Sequence, residues 1–219
     1  MCFSPVASFV TAGLTGSIGL VCLTRVSHPR ELPLAATPLI FGVQQALEGG
    51  LWLNLPTAPH SPLVAGLTLA FLLFAEVFWP VYAPLAAWSL EPDARRRRLM
   101  LACLAIGVGV ASVLLWRLLI GPRVAEIANS CIVYRTTPGD PIPIGLAYLT
   151  ATSLPLVLSS RRTILVLGLV TLTGCIVAYA FYWAAFLSVW CFFAAAASIV
   201  ILSHFELNRW RSLRAAAAT

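Results

Sequence analysis

No lysine occurs among the 219 residues, and all fourteen basic side chains are arginines. Without a lysine no retinal Schiff base can form, which excludes a retinal-bearing photoreceptor. Charge of either sign is scarce: 10% of the residues are charged, against 60% hydrophobic. Only three histidines are present, and His28 and His60 fall in connectors between apolar runs. An intramembrane zinc hydrolase needs about three ligands converging within its spans, so that class is not expected. G-x-S-x-G, H-E-x-x-H and P-loop patterns are absent, leaving any catalytic residue unknown. The six cysteines, Cys2, Cys22, Cys103, Cys131, Cys175 and Cys191, form no C-x-x-C pair. No metal site is expected from them, and they read as small apolar fillers. A Cys2–Cys131 disulfide in an oxidising compartment is the alternative for two of them.

What is present is apolar sequence, at a mean hydropathy of +0.91. Seven runs are candidate spans: 5–25, 33–54, 62–88, 99–120, 142–160, 163–183 and 184–205. Runs of about 18 or more apolar residues mark transmembrane helices. The expected fold is all-α, a seven-transmembrane-helix bundle forming one integral membrane domain over residues 1–219. The last two runs are one uncharged stretch from Thr163 to Phe205. At about 1.5 Å per residue it is about twice the bilayer thickness and must fold back. Aromatic residues at 182–186 place the turn at the membrane–water interface.

The arginines fix an expected orientation. Eleven of them follow the first, third, fifth and seventh runs, and only Arg117, Arg123 and Arg135 lie at the opposite ends. The positive-inside bias puts the amino terminus outside and the carboxyl terminus in the cytoplasm. It also accounts for the net charge of +6 without a nucleic-acid partner. The first 30 residues carry no basic residue before their apolar core, so they read as a retained span rather than a cleaved leader. The longest connector, 121–141, contains RVAEI and CIVYRT separated by Asn129 and Ser130. These β-branched segments predict a short hairpin over the outer mouth of the bundle. No internal repeat signals an inverted-repeat transporter.

Two carboxylates stand inside apolar runs, Glu48 and Glu76. An ionisable group in hydrocarbon is costly and is a functional-site candidate by default. On a helix at about 100° per residue, Thr37, Phe41, Gln44, Gln45, Glu48 and Trp52 share one arc of roughly a quarter turn. Leu39, Val43, Leu47 and Leu51 fall on other faces. The stripe is either a buried ligand, ion or proton site, or polar contact between helices worth about 0.6–2 kcal/mol each. Glu76 precedes Pro80 by four residues, so an α-helix there loses the bond to the Glu76 carbonyl. Trp79 and Tyr82 are close by in sequence. This point is either a gate or cation contact, or a proline kink with Glu76 bonded to a neighbouring helix. The last run places Trp190 and Cys191 in its outer third, followed by small residues suited to close helix contact. His204 at its far end reads as an interfacial histidine, with a proton relay or metal ligand as the alternative.

The opening MCFSPVASF, the block PLIFGVQQALEGGLWL, FWPVYAPL and SVWCFFAAAAS together resemble a bacterial family. Its members are small multi-pass membrane proteins of unknown function that begin Met-Cys-Phe-Ser. The resemblance implies a membrane architecture and points again to Gln44, Gln45, Glu48 and Trp52. It implies no activity and no cofactor. The expected protein lies in a bacterial cytoplasmic (inner) membrane. It binds a small molecule or ion through Gln44, Gln45, Glu48, Trp52, Glu76, Trp79 and Trp190. A membrane enzyme using Glu48 or Glu76 as acid or base, and a structural subunit joined to a membrane protein partner or to its own copy, stay open as alternatives.

Overall fold

The computed structural model describes residues 4–136, 142–182 and 185–216. It is 82% helical, with seven helices and one two-stranded sheet. The helices are α1 (Pro5–Thr24), α2 (Leu32–Asn54), α3 (Pro62–Leu90), α4 (Ala94–Ile120), α5 (Ile142–Val157), α6 (Arg162–Phe181) and α7, which is broken at Ala197 into Phe186–Ala196 and Ser198–Ala216. Strands β1 (Val124–Ala128) and β2 (Cys131–Arg135) lie between α4 and α5.

Five helices are long and apolar enough to cross a membrane: α1, α3, α4, α6 and α7. The other two fall short for different reasons. At 23 residues α2 has the length, but Gln44, Gln45, Glu48 and four glycine or asparagine positions dilute its hydropathy. Helix α5 is apolar but has only 16 residues. The long uncharged stretch does fold back, with α6 ending at Phe181 and α7 beginning at Phe186. Residues 183 and 184 of that turn, and Cys2 of the expected disulfide, lie outside the described residues; Cys131 is a free, buried thiol.

Local sequence sets the helix ends. Ser4, Ser61 and Asp93 cap α1, α3 and α4 by accepting hydrogen bonds from the amides of Ala7, Val64 and Arg96, each satisfying a donor that the first turn leaves open. Small residues set the close crossings. A Cβ at Gly19 would come within 2.4 Å of the Leu39 nitrogen, and one at Gly42 within 3.0 Å of the Ala12 carbonyl oxygen, so α1 and α2 meet backbone to backbone. Gly107 of α4 is tighter still: its Cβ would sit 1.9 Å from the Pro80 carbonyl oxygen of α3.

Helix α3 is not α-helical throughout. Leu73–Phe78 is a π-helical turn in which the Trp79 amide donates to the Phe74 carbonyl, five residues back. This corrects the expected effect of Pro80. With five-residue spacing, the carbonyl that loses its partner to a proline at 80 is that of Ala75, not Glu76. The Ala75 carbonyl accepts instead from the Tyr148 hydroxyl of α5.

The expected hairpin is present. Ala128 pairs with Cys131 across Asn129 and Ser130, both at positive φ (50° and 57°), the geometry that two-residue hairpin turns require. Ala125 and Ile132 face inward against Leu51, Trp52 and Phe71. Tyr134 stacks on Phe71 with ring centroids 4.5 Å apart and planes 5° from parallel. Such a ring pair adds about 0.5–1.5 kcal/mol beyond its burial. The hairpin therefore sits on one end of the bundle, over α2 and α3.

The opposite end gathers arginine. Arg25 pairs with Glu206 at 3.2 Å, tying the end of α1 to α7. Arg96 donates to the Leu158 carbonyl (2.8 Å) and Arg161 to the Leu90 carbonyl (2.9 Å), tying the α3–α4 connector to the α5–α6 connector.

Candidate functional site

The polar stripe of α2 turns inward as a unit. Thr37, Phe41, Gln44, Gln45, Glu48 and Trp52 are all buried, whereas Val43 is exposed. Gln44, Gln45 and Glu48 have no solvent exposure at all. Leu51, on another face, is equally buried and packs beneath the hairpin.

From this stripe two neighbouring polar centres develop. The first is built on Gln44. Its carbonyl oxygen accepts from the Trp79 indole at 2.7 Å, and its amide nitrogen donates to the Cys191 sulfur at 3.1 Å. One side chain thus links α2 to α3 and α7. Trp79 is held further by Phe41, stacked at 4.0 Å. Tyr82, one turn along, donates to the Pro33 carbonyl at 2.7 Å.

The second centre is built on Glu48. One carboxyl oxygen accepts from the Ser188 hydroxyl of α7. The other, Oε2, has no hydrogen-bond partner among the described residues, and neither do the two amide atoms of Gln45 or the indole nitrogen of Trp52. Gln45 faces the Glu48 carboxyl without closing a hydrogen bond of ordinary geometry. Cys191 lies within electrostatic reach of Glu48, so the two centres adjoin. Buried polar atoms are nearly always satisfied, and each exception calls for an explanation. Here four such atoms lie on one helix face.

Beside the Gln44 centre is a cavity of about 70 Å3. Thr37 and Phe41 of α2, Trp79 and Tyr82 of α3, Tyr148 and Thr152 of α5, Thr171 of α6, and Trp190 and Cys191 of α7 form its chemically distinctive wall. Five aromatic residues therefore surround a space that three threonines and a cysteine also line. Trp190 is oriented by its indole, which donates to the Thr171 carbonyl at 3.3 Å, and by Phe186 stacked 5.4 Å away. Tyr148 meets it edge-on at 5.5 Å.

Of the residues singled out by sequence, Thr37, Phe41, Trp79, Tyr82 and Trp190 line this cavity, and Gln44 stands behind it, bonded to two of its walls. Gln45, Glu48 and Trp52 lie on the adjoining face of α2 rather than in the cavity wall. Glu76 is buried in the π-helical turn, near Tyr148. Neither acid lines the cavity. Ser188, Cys191, Tyr148, Thr152 and Thr171 were not anticipated as site residues. The i, i+3 spacing of Ser188 and Cys191 is the one sequence signal that marks their shared face.

His204 is buried, with Thr163 at 2.6 Å from Nδ1 and Asn208 at 3.3 Å from Nε2. Both ring nitrogens are engaged in contacts between and within helices. No group of three or more metal-ligating side chains occurs among the described residues.

Comparison with curated proteins and with solved structures gives no match. The architecture and the buried stripe therefore stand on this chain alone, save for one relationship. A family model described as a family of unknown function (DUF6629) matches residues 1–217, and the chain belongs to that family.

Proposed function

We propose that this protein binds a small, largely apolar molecule in the aromatic cavity, in a receptor-like or transport role within a membrane. The observation that carries this reading is the cavity itself: five rings drawn from four helices, with Gln44 fixing two of its walls. Ligand sites are typically apolar and aromatic with a few placed polar groups. A volume near 70 Å3 is less than half of the roughly 150 Å3 that accommodates benzene. The cavity thus fits one end of an elongated or flat ligand rather than a whole drug-sized molecule. That end carries a hydroxyl, matched to the Thr37, Thr152 and Thr171 oxygens, which donate to backbone carbonyls of their own helices and keep acceptor capacity. Glu48, Gln45 and Trp52 supply further hydrogen-bonding capacity one helix face away.

The proposal includes seven membrane crossings in a bacterial inner membrane, with the amino terminus outside and the arginine-rich end in the cytoplasm. Helix α5, being short, crosses where the bilayer is thinned. Reporter fusions after Arg98 and Arg214 are expected to read cytoplasmic, and one near Pro138 external. An opposite signal at any of the three removes a span from this topology.

The ligand reading is tested by native mass spectrometry of protein extracted without delipidation, followed by identification of co-purifying small molecules. A stoichiometric apolar ligand is expected in wild type and is expected to be depleted in Trp79→Leu and Trp190→Leu. Turnover of that molecule would make the protein an enzyme. A stable protein partner with an empty cavity would make it a structural subunit, and the ligand proposal would fail.

A further inference from the structure

At the arginine-rich end a cleft of about 480 Å3 opens between the start of α2, the end of α3 and the start of α6. His28, Arg30, Glu31, Ser89, Glu91 and Arg161 supply its polar wall. Two acids and two arginines share this wall, yet they do not pair with one another.

Both acids are engaged elsewhere. Glu91 is 3% exposed and accepts from the Ser160 hydroxyl (2.5 Å), the Ser160 amide (2.8 Å), the Ser159 hydroxyl (3.1 Å) and the Asp93 amide (3.2 Å). Glu31 accepts from the amides of Ser27 (2.7 Å) and His28 (3.3 Å). Nearby Asp93 caps α4 through the Arg96 amide, and Glu206 pairs with Arg25 and Arg209. The arginines are left over. Arg161 is anchored through Nε to the Leu90 carbonyl, and its Nη groups make no hydrogen bond among the described residues. The Arg30 side chain makes none either, although its backbone carbonyl is fixed by the Ser89 hydroxyl at 2.8 Å. The anchored Arg161 guanidinium and the unbonded Arg30 side chain thus line one cleft with open donors. Planar forks of this kind match phosphate oxygens bidentately.

The depth of the cleft is informative as well. Trp88, adjacent to Ser89, carries the Arg97 guanidinium over its ring at 4.8 Å. Tryptophan and arginine together mark the headgroup level of a membrane. The volume exceeds that of a bare phosphate and lies within the roughly 300–1,000 Å3 of sites for larger molecules.

We propose that this cleft binds a phosphate-bearing molecule, its phosphate held between Arg30 and Arg161. The shared chemistry is a phosphate ester, supplied either by the headgroup of an anionic lipid or by a phosphorylated solute of the same compartment. Binding here would clamp the α1–α2, α3–α4 and α5–α6 connections together.

The test uses full-length protein in uncharged detergent, melted with increasing phosphatidylglycerol against phosphatidylcholine. Separately, inorganic phosphate is compared with sodium chloride of equal ionic strength. The expected result is a rise in melting temperature over the comparison in at least one arm, with about tenfold weaker apparent affinity in Arg30→Gln and no rise in Arg30→Gln/Arg161→Gln. A lipid-only rise identifies a headgroup site, and a phosphate rise identifies a soluble anion. Arg95→Gln, outside the cleft wall, must keep the full rise. No rise in either arm overturns the proposal, as does a rise that survives in the double variant or is lost equally in Arg95→Gln. If the double variant does not fold, Arg30→Gln decides alone, because that side chain makes no hydrogen bond in the structure.

Discussion

Glu48 and Glu91 are both buried carboxylates, and their surroundings differ in kind. Glu91, at a connector, accepts four hydrogen bonds that bind two connectors into one unit. Glu48, inside the bundle, accepts one from Ser188 and has an open second oxygen among further open polar atoms of Gln45 and Trp52. A carboxylate with every lone pair used stabilises a fold. One left half-used at the cost of burial retains capacity for something that arrives later. The contrast separates a structural acid from a candidate binding acid without reference to sequence position.

The largest effect is expected at the structural acid. Glu91→Ala leaves Ser159, Ser160 and the Asp93 amide without their acceptor and is expected to cost about 3 kcal/mol, read as a lowered melting temperature in detergent. An unchanged melting temperature would erase the contrast. A pH series sharpens the same point. Burial raises the Glu91 carboxyl, but the Ser160 hydroxyl, the Ser160 and Asp93 amides and the Ser159 hydroxyl outweigh it and hold the group below the ordinary carboxylate value. With the folded-state value depressed, its stabilisation is complete above the unfolded-state value and is lost as the pH falls through the folded-state value. Wild type and Glu91→Gln should therefore differ at neutral pH and converge in acid.

At the other acid the order of effects reverses. Glu48→Gln is expected to stay within about 1 kcal/mol of wild-type stability, since polar contacts between membrane helices are individually weak, yet to lose most of any co-purifying ligand. Glu48→Leu should behave alike if the acid serves binding, and should melt lower by about 1–2 kcal/mol if it serves only as helix contact. The smallest change in stability is expected for Gln45→Leu. Its amide makes no hydrogen bond to lose, so melting should be near neutral or slightly raised, with ligand retention again reduced. If both Glu48 variants and Gln45→Leu retain ligand and melt like wild type, this face of α2 has no binding role.

The inward stripe of α2 was legible because polar and aromatic residues recurred at helical spacing, and burial of Gln44, Gln45 and Glu48 follows from that period. The β-branched segments flanking Asn129 and Ser130 likewise announced the hairpin. The cavity was not legible, because its wall comes from five helices whose mutual rotation no single period encodes. Tyr148 and Thr171 are ordinary members of apolar runs until α5 and α6 are placed beside Trp190. Pro80 signalled an interruption in α3, but not its form. That depended on Tyr148 being available, from a helix about 70 residues away, to satisfy Ala75.

The π-helical turn has a consequence for how α3 can change. A turn closed five residues back rather than four holds one residue more than an α-helix needs. It therefore acts as a one-residue phase shift between two halves of the same helix. Before it, Val64 and Phe71 look toward the hairpin; after it, Trp79 and Tyr82 look into the cavity. Closing Leu73–Phe78 as a plain α-helix at unchanged length would turn the second half by about 100° relative to the first. Trp79 would then leave Gln44, and the Pro80 carbonyl would leave the notch at Gly107. Whether this segment closes four or five residues back sets which side chains the cavity receives.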